Sequence, residues 1–214
     1  MPAKLPGADW YFDFVSPYAY LQSRMLHKFA GKAAIAMKPV LFAGLLAHSK
    51  NLGPAEIPSK RVWTYRFCTW FARDHGIPFR FPPRHPFNPL KPLRLAVALG
   101  AAPKAVHAIF DFIWAEGRDP ADPVEWNALG TRLGVADPDA AIDKPKVKDA
   151  LRANTEAAIA AGVFGVPSVV VGGEVFWGVD GTDFALQYLD NPALLRDAEF
   201  QRVSQLPAGA ERKR

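Results

Sequence analysis

Hydrophobic positions along the chain change period several times, and each change marks a new element. Trp10 to Val15 is aromatic and β-branched, a composition that predicts a strand. Beyond it Tyr18, Leu21, Met25 and Phe29 recur at helical spacing. Ser16 and Pro17 stand between the two patterns, in the residue types preferred at a helix N-cap and at the first helical position. Gly31 closes the helical pattern, and Ala34 to Leu41 predicts a second strand, with Pro39 placing it at a sheet edge or near its own end. A strand-helix-strand start implies a parallel pair joined by a crossover. Phe42 to Pro58 has no regular period and reads as loop, marked by Asn51, Gly53 and Pro54.

From Lys60 to His75 the pattern is helical again, with Trp63, Phe67, Trp70 and Phe71 three and four apart, and Gly76 ends it. The following FRFPPRHPFNPLKP is too rich in proline for regular helix or central strand. Four helical segments are predicted next, over 93–99, 104–114, 124–133 and 145–161, with no strand between them. Pro167 to Val171 and Glu174 to Trp177 then read as short strands joined by a tight Gly172-Gly173 turn. Asp183 to Leu189 predicts a closing helix, and 207–214 a mobile tail. Strands at both ends and helices between them define an α/β domain interrupted by an all-α insertion.

Composition narrows the chemistry. A chain of 214 residues, half of them hydrophobic, buries a sizeable core. Cys68 is the single cysteine, which rules out an intrachain disulfide, a CxxC pair and a thiolate metal site. The five histidines show no metal-ligand spacing. The N-terminus lacks an uninterrupted apolar stretch of signal-peptide type, and no run is long enough to span a bilayer, so a cytoplasmic, membrane-free protein is expected. The net charge of +5 comes partly from the terminal ERKR, without zinc-finger spacing or an RNA-binding aromatic signature. Anionic small molecules fit this surface better than nucleic acid.

The motifs of the chain, taken together, resemble a known family. FDFVSPYAY (12–20), NLGPAEIPSK (51–60), GIPFRFPP (76–83), HPFNPL (85–90), FGVPS (164–168) and FWGVD (176–180) occur in order across nearly the whole sequence. They resemble the 2-hydroxychromene-2-carboxylate isomerases and kappa-class glutathione transferases, relatives of the DsbA oxidoreductases on a thioredoxin-like fold. The resemblance implies a discontinuous thioredoxin-like domain, 1–42 with 155–214, and an inserted helical domain, 43–154. DsbA relatives carry CxxC where this chain has Ser16-Pro17-Tyr18-Ala19, so dithiol chemistry is lost and the resemblance implies glutathione as the source of sulfur.

The same resemblance assigns residues. Ser16 is the catalytic position, its hydroxyl stabilising the glutathione thiolate; from the residues alone it reads as a plain helix cap. A charge-assisted hydrogen bond of roughly 1.5–3 kcal/mol and a helix-dipole contribution of about 0.3–1 kcal/mol lower a thiol pKa by roughly one to three units. Val166 is implied to pair with the cysteinyl part of glutathione before a cis Pro167, where a trans proline opening a strand is the ordinary alternative. Trp177, Gly178 and Asp180 are implied to hold the γ-glutamyl end, with Asp183 as a second carboxylate, and Asn51 to lie near the cofactor. Pro17, Tyr18, Lys60, His85 and Phe87 are implied to face substrate, with Trp63 and Trp177 among the aromatics able to line the pocket. Taken singly, Asp180 reads as a helix cap, Lys60 as a solvated lysine, His85 as a surface histidine and the aromatics as core.

Relatives often place an arginine after the carboxylate at 180, where this chain has Gly181, and an Asp and an Arg on the helix after Lys60, where it has Phe67 and Trp70. The implied pocket is therefore more apolar. The activity implied is an isomerisation of an aromatic carboxylate: thiolate addition, ring opening, bond rotation and elimination of unchanged glutathione. A kappa-like transferase and a non-catalytic glutathione-binding protein are the alternatives, and a homodimer is the assembly that the family suggests.

Overall fold

The structure, a computed structural model, describes residues 5–210. Its centre is a four-stranded sheet built from β1 (Gly7–Phe12), β2 (Ala34–Pro39), β3 (Ser168–Val171) and β4 (Glu174–Trp177), in the order β2-β1-β3-β4. The β1–β2 pair is parallel, with Trp10 opposite Met37, while β1–β3 and β3–β4 are antiparallel. β2 is an edge strand, where Pro39 removes no interior ladder bond. Gly172 and Gly173 turn the β3–β4 hairpin at φ +61° and +85°, the conformation a two-residue loop of matching twist requires.

Helices α1 (Pro17–Ser23), α2 (Phe42–Ser49), α3 (Pro58–Asp74), α4 (Leu90–Ala98), α5 (Pro103–Phe110), α6 (Pro123–Arg132), α7 (Pro138–Asp143), α8 (Pro145–Ala160), α9 (Gly181–Asp190) and α10 (Ala198–Ser204) complete the order. Proline opens α3, α5, α6, α7 and α8, where its missing N–H costs nothing. Three expectations are corrected. The first helix does not run to Phe29: α1 ends at Ser23, and a 3-10 turn covers Leu26–Phe29. Phe42 to Pro58 is not all loop, because α2 buries Leu45 and ends at Lys50 in the left-handed conformation. α7 and α10 lie outside the expected helices; α7 is announced by Asp137-Pro138, a cap followed by a first-turn proline. Of the tail expected to be mobile, 207–210 are exposed and 211–214 lie outside the described residues.

Both faces of the sheet are covered. Trp10 stacks on Phe12 at 4.5 Å, and Phe14 meets Phe110 at 4.6 Å, so one face of β1 and its extension packs directly into the helical block. Tyr11 points the other way, into a smaller cluster with Val40, Leu45, Ala158, Val163 and Val166. The Trp114 indole donates to the Phe14 carbonyl at 2.8 Å, tying the helical turn that continues α5 to the segment after β1. We propose 43 and 154 as the limits of the insertion; they fall at the start of α2 and inside α8. Among the described residues no helix is long and apolar enough to cross a membrane.

Candidate functional site

The turn between β1 and α1 is held from several sides. The fully buried Asp13 accepts from the Val15 N–H at 3.0 Å and from the Phe42 N–H at 2.9 Å, one carboxylate oxygen to each. Its main-chain carbonyl accepts from the Ser16 N–H at 3.1 Å. Ser16, 7% exposed, is a true N-cap: its Oγ accepts from the Ala19 N–H at 3.2 Å. That bond uses a lone pair and leaves the hydroxyl proton. The proton's acceptor here is the Val166 carbonyl at 3.5 Å, long for an O–H···O bond, so the donor is only weakly committed. Capping and donating are compatible in one hydroxyl.

Val166-Pro167 is a cis peptide, as the resemblance implied, and sets the Val166 carbonyl beside Ser16. Val166 is buried, and its N–H finds no hydrogen-bond acceptor among the described residues. The Pro167 carbonyl accepts from the Gly178 N–H at 2.9 Å, which brings the 177–180 turn to the same place. A Cβ at Gly165 would lie 2.6 Å from the Trp177 Nε1, so any larger residue there would displace the indole. Trp177 and Phe164, 53% and 51% exposed, form a ring pair at 5.3 Å beside this turn.

Gln22 is the buried hub of the region. Its Oε1 accepts from the Trp10 indole at 2.7 Å, while its Nε2 donates to the Gly178 carbonyl at 2.7 Å and the Thr182 Oγ1 at 3.0 Å. α1 is thereby joined to the 177–182 turn, where Gly178 sits at φ +88°. Asp180 is exposed and makes no cap bond to α9, whereas Asp183 pairs with Lys28 at 3.2 Å. Of the two carboxylates, Asp180 lies near enough to Tyr18 to help raise that phenol.

Tyr18 lies half-buried between α1 and α3, facing Thr64 and Cys68, and burial above all pushes its hydroxyl up to about 12. Its ring lies 5.9 Å from that of Phe67, which in turn stacks on Trp63 at 6.3 Å. The expected aromatic wall is therefore continuous from Tyr18 to an exposed Trp63. Pro17 is buried in the first turn of α1.

His85 takes a different role from the one implied. Its Nε2 lies 2.8 Å from the Val15 carbonyl, which only accepts, so Nε2 carries the proton. Nδ1 then accepts from the Tyr65 hydroxyl at 2.7 Å, and that hydroxyl also lies 2.8 Å from the His85 carbonyl. Burial lowers the His85 pKa and keeps the ring neutral. Both ring nitrogens are engaged within the protein, on the turn before Ser16. Phe87 packs near His85 and Trp114. Lys60 is exposed in the first turn of α3, and Asn51 is exposed with its side-chain oxygen accepting from the Leu52 N–H at 2.9 Å; no contact joins either to Ser16. Among the described residues no group of three His, Cys, Asp or Glu side chains is placed to hold a metal ion.

Comparison with known proteins gives this arrangement its context. The family model of the DSBA-like thioredoxin domain matches residues 8–190. Glutathione S-transferase kappa 2 of Caenorhabditis elegans is 30% identical over 200 residues, covering 85% of this chain and 89% of that protein. The 2-hydroxychromene-2-carboxylate isomerase of Sphingobium xenophagum is 30% identical over 190 residues, covering 85% and 96%. The chain belongs to the isomerase and kappa-transferase branch of the DsbA-like thioredoxin family. A solved 2-hydroxychromene-2-carboxylate isomerase superposes with a TM-score of 0.75 at 26% identity, covering 90% of this chain and 98% of that one. The sheet with its intervening helices is thus the thioredoxin-like fold of DsbA-like proteins. Within this DsbA-like chain the serine stands where the motif order puts it, at the β1–α1 turn.

Asp13 is the site-adjacent residue that the periodicity does not reveal. Its signal in the sequence is one carboxylate inside an aromatic strand, WYFDFV, where only a fully partnered acid is tolerated. Burial raises its pKa from 3.8 to about 7, against the two backbone N–H bonds that lower it. Between those values the folded protein holds a proton that the unfolded chain has released. The stabilisation is present at acid pH and is lost as pH rises through about 7. His85 and His107, lowered by burial, act oppositely: their contribution is lost as pH falls below 6.5. Both histidines are common to the parent and an Asp13→Asn variant, so the difference between the two isolates Asp13. Urea denaturation at about pH 5 and about pH 8 is expected to show relative stability moving toward the variant at the higher pH. An unchanged difference would mean that Asp13 does not titrate in this range.

Proposed function

We propose that this chain is a glutathione-dependent isomerase of 2-hydroxychromene-2-carboxylate type, acting on an aromatic carboxylate in catabolism within the reducing cytoplasm. The observation that carries the reading is the pairing of a weakly committed Ser16 proton with a buried Val166 whose N–H has no protein acceptor. A peptide thiol suits both: strand-like pairing on Val166, sulfur toward the serine. When bound, glutathione supplies the nucleophile that adds to the conjugated substrate and is expelled after ring opening and bond rotation.

The chain's own residues do the rest. The Ser16 hydroxyl donates to the thiolate and holds its charge. It is the main donor, since α1 has only seven residues and its dipole adds little beyond the first turn. Asp180 offers a carboxylate to an ammonium, which Asp183 already gives to Lys28. Tyr18, Phe67 and Trp63 on one side and Trp177 with Phe164 on the other provide flat apolar walls for an aromatic substrate. The substrate carboxylate is assigned to Lys60, because His85 has no free ring nitrogen.

Calorimetric titration with glutathione tests the reading. Asp180→Ala is expected to weaken binding about 2- to 10-fold, and Asp183→Ala to leave it unchanged. No heat of binding in the parent protein would overturn the proposal. The kappa relative, as similar as the isomerase relative, supports a transferase as second reading. Free glutathione is recovered after turnover by an isomerase and consumed one for one by a transferase.

A further inference from the structure

We propose that Asp13, with His85 on its other side, is a positioning residue for the Ser16 hydroxyl; this rests on the glutathione reading above. The Val15 residue is gripped twice. Its N–H donates to the Asp13 carboxylate at 3.0 Å, and its carbonyl accepts from the His85 Nε2 at 2.8 Å. The next N–H, that of Ser16, is taken by the Asp13 carbonyl at 3.1 Å. The second Asp13 oxygen reaches across to the Phe42 N–H at 2.9 Å, at the first residue of α2. Leu41, the N-cap of α2, has no side chain able to cap, so Asp13 caps that helix from another part of the chain. The Leu41 N–H itself donates to the Thr155 Oγ1 at 3.0 Å, which anchors the same corner to α8.

The consequence is a preset distance. A free serine hydroxyl near a carbonyl closes to about 2.7–2.8 Å. Here the gripped turn holds the Ser16 Oγ at 3.5 Å from the Val166 oxygen. The proton is thus kept for an acceptor that arrives, instead of being spent on the protein. A buried carboxylate answered only by backbone N–H groups is a costly way to hold a turn, and stability by itself would favour an apolar residue at this point. Its presence beside the reactive hydroxyl is explained by placement.

Asp13→Asn is the first test. An amide has one oxygen, so it satisfies either the Val15 or the Phe42 N–H and sets its NH2 against the other. In the glutathione-free protein, Val15 and Ser16 amide hydrogen exchange is expected to accelerate about 10-fold or more. With glutathione bound, the pH midpoint of its ultraviolet thiolate absorbance is expected to rise by about one unit. kcat is expected to fall about 10- to 100-fold, with KM for glutathione nearly unchanged because Val166 and Asp180 are untouched. His85→Phe keeps the ring packing and removes the donor to Val15 together with the ring acceptor of the Tyr65 hydroxyl. That hydroxyl still has the main-chain carbonyl of residue 85 at 2.8 Å, and the same directions are expected there if the first variant does not fold. Unchanged exchange together with an unchanged thiolate midpoint would overturn the proposal. Failure of the glutathione reading looks different: the parent protein shows no bound thiolate at all, and the exchange result still decides whether Asp13 holds the turn.

Discussion

Ser16→Ala is expected to reduce kcat/KM of the glutathione-dependent reaction about 10- to 150-fold, the worth of one charge-assisted hydrogen bond of roughly 1.5–3 kcal/mol. The magnitude follows from what the hydroxyl does in the structure. Its lone pair is used by the Ala19 N–H, and its proton is held by nothing closer than 3.5 Å. The loss therefore falls on a bond formed with the sulfur, and little protein bonding is given up beyond the cap. Losing the cap costs about 0.5–2 kcal/mol of stability, which a denaturation curve separates from the kinetic effect. Ser16→Thr restores a hydroxyl at the cap and is expected to recover part of the rate. An alanine variant that binds glutathione and turns over at the parent rate would remove Ser16 from the mechanism.

Gln22→Ala is expected to destabilise the protein by about 1–3 kcal/mol, because it strands the buried Trp10 indole N–H and cuts the tie from α1 to the 177–182 turn. The Trp10 indole N–H loses its acceptor inside the core, while the half-buried Gly178 carbonyl is left with the Gly181 N–H at 3.2 Å. The effect reaches function through the 177–182 turn, which Gln22 fastens to α1 at both Gly178 and Thr182. Gln22→Glu keeps the acceptor for Trp10 and removes the donor to Gly178. At acid pH, where a buried carboxyl is protonated, it is expected to keep more of the stability than alanine. That advantage is lost as pH rises and an ionised oxygen faces the Gly178 carbonyl, while glutathione binding is weakened. Urea denaturation and calorimetric titration of the two variants read these quantities; equal stability of Gln22→Ala and the parent would refute the hub.

The strands and the order of helices were legible because their signals are local. β-branched and aromatic runs, Gly172-Gly173, and the Ser16-Pro17 pair each act within a few residues. α2 was hidden because FAGLLAHS is short, and its first turn is capped by Asp13, 29 residues earlier, which no local window contains. The break after Ser23 was masked by Met25 and Phe29, which continue the helical spacing into a 3-10 turn. At the site, motif order singles out Ser16, Val166 and the 177–180 turn, which the fold brings side by side, but only the fold shows which groups are already occupied. His85 and Asp183 looked available and are engaged with Val15 and Lys28. Gln22 and Asp13 looked like ordinary polar residues and prove to be the fasteners, because their importance lies in partners more than twenty positions away.

Under the proposed function, the protein would be exposed to alkylation by the electrophiles it admits. Its single thiol, that of Cys68, is buried within α3, and burial pushes it up to about 12, so it stays protonated at neutral pH. With glutathione as proposed, the harmful reaction would be separated from the useful one: the reactive sulfur would arrive as a replaceable guest, and any molecule of it spoiled by substrate would leave with the solvent while the catalyst survives intact.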